Sequence, residues 1–149
     1  MGASGPPPVG YRLLESSSDI ILEADGPDPG AALVEAARGF SHVTTKASAI
    51  GSSVTSEINI AAGGDLARLA ATFVNQLVFL FSIEGFLPSG GTLQVDSQKD
   101  SHRVRGTLTG ETYDRAKHRL GTEVKAATLH EAEFGRHGDG YRVRLLLDL

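Results

Sequence analysis

The most constraining stretch of this chain runs from Asp65 to Gly85. Leu66, Leu69, Ala70, Phe73, Leu77, Leu80 and Phe81 recur there at three- and four-residue spacing, which gathers them on one face of a helix. Asp65 is placed to accept a hydrogen bond from the first turn, and Gly85 can take the left-handed conformation that closes a helix. Asn75 and Gln76 interrupt the apolar run "FVNQLVFLF", which is expected to fall short of the roughly 18 apolar residues that span a bilayer. No membrane partner is therefore expected. A helix with so wide an apolar face must lie on another element, since each large side chain buried contributes about 1.5–3 kcal/mol.

The remaining segments read mostly as strands that could form that support. "YRLLE" is a first strand, "SSS" interrupts it, and "DIILEA" resumes extended structure. In "DGPDPG", Asp28 can cap a helix whose first position is Pro29. Leu33, Ala36, Ala37 and Phe40 would share one face of that helix, although Gly39 weakens it. "SSVTSEINI" sets Val54, Ile58 and Ile60 on one side of a strand. After the Asp65 helix come "TLQVDS", "HRVRGTLTG", "LGTEVKAATLHEAEF" and "YRVRLLLDL", the last two joined by a turn around "RHGDG". Two strands, a helix, a strand, a helix and four strands predict an α+β domain of two layers, with both helices on one face of a sheet. Residues 1–9 are expected to be a flexible tail without signal-peptide character, and residues 10–149 the domain. No internal repeat is found.

With 149 residues the chain fits one domain, and its 40% hydrophobic content allows a real core. Fourteen Lys and Arg against 18 Asp and Glu leave a net charge of −4, which argues against stable binding of nucleic acid by the protein alone. The absence of cysteine excludes disulfides, thiolate metal sites and cysteine nucleophiles, and fits a cytoplasmic location.

Carboxylates are the strongest candidates for chemistry. Asp19 opens a strand. Asp148 lies on a strand where Val143, Leu145, Leu147 and Leu149 face one way and Arg142, Arg144, Leu146 and Asp148 the other. If Asp19, Asp148 and the terminal carboxylate of Leu149 converge, each pair about 4 Å apart repels by roughly 4 kcal/mol at an effective dielectric near 20. Lys125 could supply one positive charge, and the remaining −2 would suit a divalent cation with oxygen ligands, calcium or magnesium. Scattered surface carboxylates are the plainer alternative.

Lys125 itself is expected at the start of a strand, on a face with Ala127, Leu129, Glu131 and Glu133. Val124, Ala126, Thr128, Ala132 and Phe134 would face the other way. It is either a solvated edge lysine or one that stands opposite something acidic. The five histidines show no zinc-binding spacing. His130 falls in the apolar-facing register and is expected in the core. His118 precedes the strand, four residues after Asp114, as a site residue or a loop anchor. "SGG" at 89–91 reads as a turn, and no catalytic motif stands out. A small hydrolase using Asp19, His118 and Lys125 is a minor alternative.

Taken together, "YRLLESSSDIILEADG", "NQLVFLFSIEGFL", "YDRAKHRLGTEVKAATLHEAEF" and "YRVRLLLDL" resemble the archease family over residues 11–149, most specifically in "GTEVKAATLHE". The resemblance implies two helices packed on one face of a mixed, largely antiparallel sheet. It implies a non-enzymatic activator of the RtcB-type tRNA ligase, which joins RNA 3′-phosphate and 5′-hydroxyl ends with GTP and manganese. It further implies a metal site, with calcium or another divalent cation such as magnesium or manganese, at Asp19, Asp148 and the carboxylate of Leu149. Lys125, with His118, would serve activation of the partner. Three positions depart from the family's usual pattern: Ser16 and Ser18 stand where a histidine and an alanine are usual, and Ser82 where an aspartate often follows "FLF". A divergent module that modulates another RNA-modifying protein is the alternative these departures raise.

Overall fold

Alternation of apolar and polar residues sorts seven strands into two antiparallel sheets, one of four strands and one of three. The computed structural model describes residues 9–16 and 18–149. Ser17 and all but the last residue of the expected tail lie outside them. Strand β1 (Gly10–Glu15) and β2 (Asp19–Gly26) lead into helix α1 (Pro29–Thr45); β3 (Val54–Gly63) leads into α2 (Leu66–Glu84). The chain then continues through β4 (Phe86–Gln98), β5 (Ser101–Thr112), β6 (Ala126–His137) and β7 (Gly140–Asp148). The order matches the one expected, and the fold is α+β with two helices. The single sheet anticipated is resolved as two, ordered β1-β2-β7-β6 and β3-β5-β4.

Both helices begin where the sequence places their caps. Asp28 accepts from the Ala31 N–H at 2.8 Å, and Asp65 Oδ1 accepts from the Arg68 N–H at 3.1 Å. Gly85 ends α2 at φ 70, where a side chain would be strained. Gly39 does not interrupt α1. A Cβ there would come within 2.4 Å of Leu22 Cδ1, so the glycine lets the helix approach β2 closely.

Helix α1 packs on β2 and along β4, while α2 packs on β6 and β3, so the two helices tie the two sheets together. Leu69, Phe73 and Leu77 of α2 meet Leu22, Leu145, Leu147 and Phe40 in one continuous core. Over its 19 residues α2 is long and apolar enough, by composition alone, to span a membrane. The expectation of too short a run is corrected to that extent, but the face of this helix is spent on the core.

Two local expectations are overturned by bulges. Between Thr128 and Glu133, β6 advances five residues while β7 advances only two, from Leu146 to Arg144. Three extra residues, an odd number, flip the alternation. Ala127 and Phe134 therefore both face the core, with Val124 reaching it from before the strand, whereas Ala126, Thr128 and Ala132 are only half-buried. Glu131 marks the bulge with φ 55. His130, expected in the core, is carried out on it and stays exposed beside Glu131 at 3.2 Å. Residues 89–91 are not a turn either; they lie within β4, where register shifts between Pro88 and Gly90. Proline has no N–H for the ladder, which accounts for the bulge at that point.

Candidate functional site

The face of the four-stranded sheet turned away from the core carries a ladder of charges. Arg12 lies opposite Glu23, Glu23 opposite Arg144, and Asp25 opposite Arg142. Arg12 donates to Glu23 at 3.1 Å and to Asp25 at 2.8 Å; Arg142 Nε donates to Asp25 at 2.8 Å, and Arg144 bonds the second oxygen of Glu23. Burial alone would raise both carboxyl pKa values. The guanidinium hydrogen bonds outweigh it and hold Asp25 and Glu23 below the ordinary range. Sequence reasoning missed this network, although charges at i and i+2 in "LEADG" and "YRVR" carried its signal.

Further along the same two strands the pattern changes sign. Past the apolar pair Ile21 and Leu146, Asp19 stands directly opposite Asp148. In an antiparallel pair such residues share a face, with Cβ atoms about 4.5–5.5 Å apart, and like charges so placed are destabilising. The pair is open to water: Asp148 is exposed and Asp19 half-buried. Ser16 secures Asp19 from the turn before it, donating its backbone N–H to the Asp19 carbonyl at 3.0 Å and its hydroxyl to Oδ1.

Lys125 belongs to the same end of the molecule. It lies just before β6, and its backbone N–H donates to the Asp148 carbonyl at 2.8 Å. Its side chain is exposed and forms no ion pair among the described residues. Leu149 follows Asp148 and packs partly against the core. Thus sheet register brings Asp19, Asp148 and Lys125 together, with Leu149 adjacent. Among the described residues no three Asp, Glu or His side chains gather as a metal-binding group. The two aspartates offer hard oxygen donors of the type calcium takes, but a cation there would need further oxygens.

His118 is placed elsewhere in the chemistry. Its side chain is fully buried; Nε2 lies 2.8 Å from Glu111 Oε1, and Nδ1 accepts the Asp114 N–H at 2.9 Å. A ring so enclosed cannot touch a partner or act with Asp19 and Lys125 as a hydrolytic set. The anticipated contact role is therefore corrected to that of a loop anchor. The segment it anchors continues along the end of α1, where Gly121 N–H donates to Thr44 and Thr122 N–H to Val43. It reaches Lys125 and Asp148 directly. Another departure, Ser82, turns its hydroxyl back onto the Phe79 carbonyl at 2.8 Å. It lines a cleft of about 350 Å³ between α1, α2 and residues 120–124.

Residues 11–149 match the model of the Archease protein family (MTH1598/TM1083). A protein archease from Methanopyrus kandleri is 30% identical over 139 residues, covering 93% of this chain and 99% of its own length. Another from Pyrobaculum neutrophilum is 30% identical over 144 residues, covering 95% and 97%. Among solved structures, the solution structure of protein 1598 from Methanobacterium thermoautotrophicum superposes with a TM-score of 0.77 at 26% identity. It covers 94% of this chain and 99% of that one.

Proposed function

Because the chain belongs to the archease family, we propose that it is a protein cofactor of a cytoplasmic RtcB-type RNA ligase, and not itself an enzyme. In this reading it promotes guanylylation of the ligase and repeated turnover in joining 3′-phosphate RNA ends. The observation that carries the reading is the water-accessible pair of Asp19 and Asp148 in opposed register, with the Lys125 backbone N–H bonded to the Asp148 carbonyl beside it. Two like charges held in one register are costly alone and become favourable against positive charge. A ligase that handles phosphates and metal ions offers such charge.

Asp19, Asp148 and the Leu149 carboxylate would hold a divalent cation, calcium in the first instance, which would supply fixed positive charge between the carboxylates. The chain's own residues do the rest. The β2–β7 ladder fixes the spacing of the acids, Ser16 orients Asp19, and Lys125 presents an exposed cation at the rim. Complementary charge of this kind governs encounter and register more than raw affinity.

The test is ligation of a nicked RNA by the organism's own ligase, held below substrate, with and without this protein. Added turnovers with wild type, and their loss in Lys125→Ala at unchanged melting temperature, are expected. A surface lysine contributes at most about 1 kcal/mol to stability, so the variant should stay folded. Ser16 favours one second reading. A serine hydroxyl, not the family's usual histidine, holds Asp19, as in a divergent module serving another RNA-modifying protein. No added turnovers from the wild type would select it.

A further inference from the structure

Cations are pooled on this acidic protein around the loop that His118 anchors. Lys46, Arg115, Lys117 and Arg119 surround a shallow depression of about 530 Å³, with the ring of Tyr113 in its wall. Lys117 is engaged by Glu111. Lys46, Arg115 and Arg119 are exposed and form no ion pair among the described residues. Of the nearby carboxylates, Glu111 is taken up by Lys117, His118 and the Gly51 N–H, and Asp114 accepts from the Ala116 N–H.

The presentation is built into the fold. Residues 113–125 have no regular secondary structure beyond turns, yet they are pinned throughout. The buried His118–Glu111 bond holds the middle, Arg119 N–H donates to Ser48 Oγ at 2.9 Å, and Gly121 N–H donates to Thr44 at 2.7 Å. Tyr113 is held by stacking on His118 with ring centres 6.0 Å apart and by an edge contact with Phe81 at 5.9 Å. Val124 ties the end of this segment to the core, whereas the cations of residues 115–119 point to solvent and serve no core contact. The product of this order is a group of exposed cations on a pinned backbone beside an aromatic ring, the combination that binds single strands by phosphate contacts and base stacking.

We propose that this depression binds single-stranded nucleic acid, with Lys46, Arg115 and Arg119 on backbone phosphates and a base against Tyr113. The net charge of −4 led to the opposite expectation. Beyond a Debye length of about 10 Å, however, distant carboxylates are screened and the local pool decides the contact. Three phosphate contacts imply weak, salt-sensitive binding, with a slope of log K against log salt near −2 for a single strand. The proposal does not rest on the ligase reading, since it is tested on the isolated protein.

The experiment is fluorescence anisotropy of a labelled oligouridine titrated with the full chain at two salt concentrations. A fourfold rise in salt should weaken binding by roughly tenfold to twentyfold. R115Q/R119Q should reduce affinity by about tenfold or more with an unchanged melting temperature, while removing two remote cations, as R68Q/K99Q, should leave it within about twofold. Binding unchanged in R115Q/R119Q, or equally weakened in R68Q/K99Q, would overturn the proposal. Competition by inorganic phosphate or free GTP as strong as by unlabelled oligouridine would also overturn it, in favour of a small-anion site.

Discussion

His118 and Glu111 are joined at 2.8 Å in a buried bond whose proton position is fixed by the ring's other nitrogen. Nδ1 accepts the Asp114 N–H, so it carries no proton, and Nε2 must be the donor to Glu111. Glu111 is thereby held as a carboxylate, receiving bonds from Lys117, Gly51 and His118 that lower its pKa to about 2. The ordinary value is 4.5, so the folded form binds its proton less readily than the unfolded chain. The stabilisation is present above 4.5 and is lost as pH falls toward 2. Glu111→Gln should therefore be less stable than wild type near neutral pH, with the gap closing across that acidic window. Denaturant midpoints measured down the pH series check this; a gap independent of pH would assign the loss to packing.

Asp25→Ala tests the ladder on the same sheet. The aspartate is nearly inaccessible and receives hydrogen bonds from both Arg12 and Arg142. Removing one partner of a fully buried pair costs about 3–5 kcal/mol. Arg12 remains 43% exposed and Arg142 28%, so water can recover part of their solvation and about 2 kcal/mol is expected. Urea unfolding should show this loss, and Arg12→Ala should cost less, because Asp25 keeps Arg142.

Thr44→Val should move stability the other way. Thr44 Oγ1 is buried without a hydrogen-bond partner among the described residues, and its neighbour Thr45 takes the Ser41 carbonyl instead. Valine keeps the shape and the branching while removing a hydroxyl whose desolvation is uncompensated. A gain of about 1 kcal/mol is expected. A destabilised variant would mean that water or a ligand satisfies the hydroxyl in solution.

Much of this architecture could be read from the chain, and the reasons are local. Helices α1 and α2 carry their own caps and faces, and the parity of β7 correctly set Val143, Leu145 and Leu147 inward with Arg142, Arg144 and Asp148 outward. Strand β6 could not be read this way. Its bulge adds three residues that change parity without any proline or glycine to announce them. The opposition of Asp19 and Asp148 depends on a pairing between strands far apart in sequence, which periodicity within either strand does not contain. The same holds for His118, whose partner Glu111 lies on β5. Its burial follows from a tertiary hydrogen bond and not from the polar sequence around it.

The Asp19–Asp148 pair makes a prediction whose sign depends on the medium. Asp19→Asn removes one of two like charges in direct cross-strand register while keeping an acceptor for Ser16. With divalent cations chelated, the variant should be as stable as wild type or more so, by up to about 1 kcal/mol, since repulsion between facing charges is relieved. With calcium added, the order should reverse. A ligand that binds only the folded state adds roughly 2.7 kcal/mol at a hundredfold excess over its Kd, and a variant lacking one carboxylate should lose most of that gain. A peptide extension after Leu149 should weaken the calcium shift as well, because it converts the proposed carboxylate ligand into an amide. Melting curves of wild type, Asp19→Asn and the extended chain, each with chelator and with calcium, read out all three. Identical calcium responses in wild type and Asp19→Asn would place the cation away from this pair and leave the acids to face a basic partner surface directly.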